Sequence, residues 1–169
     1  MRAAIPNVLR RLAAYAIDVA ILAVVLIPLS FGVQATIGYR AETGIGVWLA
    51  SLLLISLPSW AYFILFDASP SGATLGKRVV GLRAARVEGS PLGLRRAVLR
   101  TAVKLLPWEL THLTMFALSP ELGTFSLQLG LLWAVYALLA LYLFVALRHE
   151  GRRSVHDLAA GAAVLSGRD

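Results

Sequence analysis

The chain has no cysteine, which excludes disulfides and thiolate metal sites. It is short of charge as well: 15% of its 169 residues are Asp, Glu, Lys or Arg, against roughly 25% in soluble domains. Only nine residues are acidic, and Lys77 and Lys104 are the only lysines beside 14 arginines. That arginine bias, with abundant alanine and leucine, resembles a high-GC bacterial genome. Neither an internal repeat nor a low-complexity tract is present. A soluble domain of this length lacks the polar surface it would need. The net charge of +7 and the pI of 10.6 suggest nucleic acid only if the basic residues share a soluble face. They lie instead between apolar runs, so no nucleic-acid partner is expected.

What the chain does have is 59% hydrophobic residues and a mean hydropathy of +0.76. Four apolar segments stand out, at about 12–33, 47–66, 101–118 and 124–147. The first, second and fourth are long enough for a hydrocarbon core of about 30 Å. The third is weak, because Glu109, Thr111, His112 and Thr114 interrupt it. Charge parity argues that it spans nevertheless. Arginines crowd the amino-terminal tail, the 67–100 segment and the 148–169 tail, whereas the linkers at 34–46 and 119–123 hold only Arg40. Positive-inside orientation then puts both termini and the 67–100 loop in the cytoplasm, which requires an even number of spans. The first segment is read as a retained helix and not as a signal peptide. It is too long for a signal h-region, and Asp18 interrupts it.

The expectation is an all-α membrane protein with a single domain over 1–169 and four transmembrane helices. Pro58 and Pro107 should bend two of them. "LRRAVLRTAVKLL" reads as a basic amphipathic helix at the membrane surface that feeds the third span. "KRVVGLRAARV" reads as a short helix leading into a strand, and "SVHDLAAGAAVLSG" as a short helix followed by a strand. A short two-stranded cytoplasmic sheet pairing residues near 80–87 with those near 161–166 is expected.

Within "LRRLAAYAIDVAILAVVLIPL", Arg11 and Asp18 lie seven residues apart on one face, with Tyr15 nearly between them. They are too distant to pair along the helix, so each should seek partners on other helices. A carboxylate in mid-span costs about 2.5–3.5 kcal/mol on insertion scales and marks a functional site or a structural clasp. In "LLPWELTHL", Glu109 and His112 share a face. With Asp18 they make a candidate ion- or proton-binding set, and a candidate metal set if they converge; no other cofactor is expected. Arg11, Tyr15, His156 and Asp157 are candidate gating or pairing residues. Lys77, Arg78, Arg95 and Arg96 are expected at anionic lipid headgroups of the bilayer. "GATLGKR" fails as a phosphate-binding loop, having three residues between its glycines and Arg after Lys. Ala16-x-x-x-Ala20 offers a close-contact face, and a homo-oligomer is expected. Catalysis is not: the serines lack a base at hand, and three histidines form no zinc triad.

Taken together these residues resemble the RDD family of small bacterial integral membrane proteins, named for one arginine and two aspartates. Arg11 and Asp18 match the first two, and Asp157 in "RRSVHDLAAGAAVL" fits the second aspartate. "GATLGKRVVGLRAARVEGSPLGLRRAVLR" resembles the family's Gly-Lys-Arg loop, with Leu75 where Pro is common; Ala162 stands where Thr is frequent in the closing pattern. The resemblance implies a multi-pass plasma-membrane protein for which cation or proton transport, including cation/proton antiport, is the usual suggestion. The alternative from another class is a scaffold or accessory protein whose buried charges only lock the fold.

Overall fold

The computed structural model describes residues 4–118 and 125–166; the predicted 119–123 linker lies outside them. Helix α1 (Ala4–Thr36) is followed by α2 (Gly44–Ser51), a π turn (Leu52–Ser56) and α3 (Leu57–Ala68), which run on as one rod. Short α4 (Leu75–Val79) leads into β1 (Leu82–Arg86). Helix α5 (Leu94–His112) continues through a second π turn (Leu113–Ala117), and α6 (Phe125–Arg148), α7 (Val155–Ala160) and β2 (Ala162–Ser166) complete the chain.

Three helical rods among the described residues are long and apolar enough to cross a membrane: Ile5–Thr36, Gly44–Ala68 and Phe125–Arg148. The predicted third span is not one of them. It belongs to a single helix that begins at Leu94, and the first half of that helix is basic. The surface is inverted relative to a soluble protein. Val24, Phe31, Leu65 and Trp133 are at least 65% exposed, whereas Asp18, Asp67, Arg100 and Asp157 are at most 2% exposed. Soluble folds bury apolar and expose charged side chains; the reverse suits lipid outside and a polar interior.

The prolines act locally. Ahead of Pro58 the helix widens into a π turn, and the Leu57 N–H bonds the Leu52 carbonyl five residues back. Such a bulge accommodates the ring without ending the helix. Pro107 cannot donate to the Val103 carbonyl one turn earlier. The Tyr142 hydroxyl from α6 donates to that carbonyl instead, at 2.5 Å.

At one end of the bundle β1 and β2 pair antiparallel, Leu82 opposite Ser166 and Arg86 opposite Ala162, within the segments expected. Leu92, Ala97, Ala160 and Ala162 pack there as a small core. Gly72, at φ +59°, is required because a Cβ would lie 2.1 Å from the Ala84 carbonyl oxygen. Side chains of α1 tie this end together: Asn7 donates to the Glu150 carbonyl, Arg10 to Val80 and Arg11 to Gly151.

A buried charge network and the candidate functional site

Asp18 is buried and partnered on both carboxylate oxygens. Its carboxylate accepts from the Tyr62 hydroxyl at 2.7 Å, the Gly76 N–H at 2.7 Å and the Thr74 hydroxyl at 2.6 Å. None of these donors carries charge. Thr74 caps α4, so the carboxylate holds the first turn of that helix against α1. The approach is close enough that only glycine fits at position 76.

Next to this clasp runs a chain of alternating charge. Arg11 donates to Asp157 at 2.5 Å. The Arg100 Nε donates to the other Asp157 oxygen at 2.8 Å, and its Nη1 donates to Asp67. Lys77 donates to the remaining Asp67 oxygen. Arg100, Asp67 and Asp157 are fully buried at the junction of α3, α5 and α7. Buried pairs of this kind cost desolvation to form but several kcal/mol to break by halves.

His156 flanks the chain. Its Nε2 lies 3.1 Å from Arg11 Nη2, which places the ring proton on Nδ1, a buried nitrogen with no partner. Burial pushes the His156 pKa down to about 3, and the Arg100 and Arg11 guanidiniums push the same way, so the ring is neutral. Burial opposes the charge on Asp157, but the Arg100 and Arg11 guanidiniums and the Ser154 N–H hold its carboxyl well below the usual range. Burial likewise pulls the Lys77 ammonium below its ordinary value, against the attraction of Asp67.

Two expectations need correction. Lys77 is no headgroup ligand: it is 6% exposed and points inward to Asp67. Asp18, Glu109 and His112 do not form a metal site, and no group of three or more metal-ligating side chains occurs among the described residues. Glu109 accepts from the Ser56 hydroxyl at 3.1 Å and the Trp60 indole at 2.9 Å. His112 lies between the Trp108 and Phe116 rings, 4.5 and 5.6 Å away, with Nδ1 unpartnered. A shared helical face did not give them shared partners. Of the other predicted headgroup residues, Arg78, Arg95 and Arg96 are exposed. Arg78 is nevertheless turned onto the Ala73 carbonyl and the Phe66 ring, and Arg96 onto the Ala160 carbonyl at 2.9 Å.

Sequence reasoning missed Asp67, Arg100, Tyr62 and Thr74. The usable signal was the four-residue spacing of Arg100 and Lys104, which puts both on the face of α5 that turns inward.

Two cavities adjoin these groups. One of ≈ 430 Å³ lies between α1, α5 and α6, with Arg11, Asp18, Lys77, Arg100 and Lys104 at its polar end. The second, of ≈ 200 Å³, lies between α1, α2–α3 and α5 and reaches Ser51, His112 and Phe116. Tyr15, Val19 and Trp108 border both. Lys104 sits 3.4 Å over the Phe63 ring and 4.8 Å from that of Tyr15.

Apolar rods around a buried ionic core define a small multi-pass membrane protein. The RDD family model matches residues 5–161, and the chain belongs to the RDD family. No curated protein and no solved structure matches the sequence.

Proposed function

We propose that the protein is a four-span transport protein of the bacterial plasma membrane, with its sheet and termini on the cytoplasmic side. The 19 residues of α5 and the five of its π turn reach about 36 Å at 1.5 Å per residue, enough for the fourth crossing. Its charges enter the bilayer on the inward face, where Asp67 and Asp157 neutralise Arg100. A homo-oligomer belongs to this proposal, exposed Ala16 and Ala20 on α1 being one contact for a second copy.

The observation that carries the reading is the pair of cavities in series, divided by Tyr15, Val19 and Trp108. One chamber opens beside the charge network and the other lies deeper between the helices, as a gated path requires. Four basic side chains and one carboxylate line the first chamber. Arg11, Lys77 and Arg100 are paired with Asp67 and Asp157, so Lys104 is the group that favours a solute bearing negative charge over the cation expected from the sequence.

The test is uptake into liposomes containing the purified protein, with radiolabelled sodium and permanently charged octanesulfonate offered separately. Octanesulfonate uptake should exceed that of protein-free vesicles, and Val19→Trp should abolish it by plugging the constriction. If neither solute enters faster than into empty vesicles, transport is wrong. The scaffold reading would then stand, favoured by the full pairing of Asp18, Asp67 and Asp157.

A further inference from the structure

We infer that the larger chamber is a binding site for a single-chain anionic amphiphile, its headgroup set against Lys104 and its chain against α1 and α6. The inference names the solute class of the proposed transport path and rests on that reading for its physiological role only.

Charge balance is the first support. Arg11, Lys77, Arg100 and Lys104 face three carboxylates, Asp18, Asp67 and Asp157. Asp67 and Asp157 are consumed by Lys77, Arg100 and Arg11, and Asp18 by three neutral donors. Lys104 is left over. Among the described residues no carboxylate lies within 4.0 Å of its ammonium. The Phe63 and Tyr15 rings supply cation–π contact only. A partly buried amine in an apolar setting carries its charge most stably when an anion hydrogen-bonds it.

The second support is the shape of the remainder. Away from Lys104 the wall is apolar, formed by Leu12, Val135, Leu139 and Leu143. Leu12, Leu139 and Leu143 line the chamber and are about half exposed, at 53%, 47% and 46%. The chamber is therefore incompletely closed along α1 and α6, the side on which an acyl chain would enter. Its volume of ≈ 430 Å³ falls in the lower part of the roughly 300–1,000 Å³ range of ligand sites, which suits one chain better than two.

The test is calorimetric titration of the full chain in phosphatidylcholine nanodiscs with octanesulfonate, octyltrimethylammonium and octanol. Octanesulfonate should bind saturably at one per chain, and the cation should not compete. Lys104→Gln should weaken binding at least about tenfold, the worth of one charge-assisted bond, while Lys104→Arg retains it. Leu139→Trp, at a half-exposed position, should fill the chamber and abolish binding with unchanged melting. Equal binding of the cation or of octanol, or an unaltered affinity in Leu139→Trp, would overturn the inference. So would displacement of octanesulfonate by equimolar phosphatidylglycerol in the disc, which would assign the site to a two-chain lipid. Binding without uptake would defeat the transport reading alone, and uptake of sodium without binding would defeat this inference alone.

Discussion

Replacing Gly76 with alanine places a methyl group where the chain has no room for one. The added Cβ would lie 2.1 Å from the Ala14 carbonyl oxygen and 2.9 Å from the Asp18 carboxyl carbon. The first neighbour is helix backbone and cannot rotate away, so α4 must lift from α1. Asp18 then loses the Gly76 N–H and the Thr74 hydroxyl, two of its three donors. At about 1–3 kcal/mol for each unsatisfied buried group, the loss is on the order of 2–6 kcal/mol. For a chain of this size 1 kcal/mol moves the melting midpoint by roughly 2–4 °C, so a fall of at least about 4 °C is expected. The assay is thermal melting of the purified protein, with tryptic digestion as a second readout, since lifting α4 uncovers the buried Lys77. Gly130→Ala is the control, because nothing lies within 4 Å of its added Cβ. If Gly76→Ala melted within about 2 °C of the native protein with the same digestion pattern, the clasp reasoning would be refuted.

Asp157→Ala should cost about 3–5 kcal/mol, because it strands Arg100 and Arg11 without their shared counter-charge; Asp157→Asn should cost less, and melting compares the two. His156 has its folded pKa pushed down to about 3 from 6.5, so the unfolded chain takes up a proton that the folded one refuses. Its contribution is complete above pH 6.5 and is lost as pH falls toward 3. The depressed Asp157 carboxyl adds a loss of the same sign in acid. Melting midpoints from pH 7.5 to 4.5 should therefore fall, and His156→Asn should flatten that slope. Tyr142→Phe should cost about 1–3 kcal/mol by orphaning the Val103 carbonyl. The same change made together with Pro107→Ala should cost much less, since the restored N–H takes that carbonyl; additive costs in the double-mutant cycle would contradict this assignment.

Some of this protein is written in local sequence. The apolar runs, their lengths and the arginines between them define the membrane class, because lipid leaves the backbone few ways to cross. The stretches "KRVVGLRAARV" and "SVHDLAAGAAVLSG" each read as a short helix followed by a strand, and they placed α4, β1, α7 and β2. Arg11, Asp18 and Asp157 stood out because charge in or beside an apolar helix is expensive.

Partnership was decided elsewhere. Asp67 reads as the start of a loop and Lys77 as a loop cation at lipid headgroups, yet both are buried against each other and Arg100. Glu109 and His112 share a helical face, but Glu109 meets Ser56 and Trp60 while His112 meets aromatic rings. Periodicity states which side of a helix is polar and is silent about what stands opposite. The pairs that build the site join residues separated by 10 to 146 positions, and the lone cation at Lys104 exists only as the remainder of those pairings. Composition and spacing thus determined a membrane bundle with charged seams. Packing alone decided which charges cancel, which one is left, and where the cavity beside it opens.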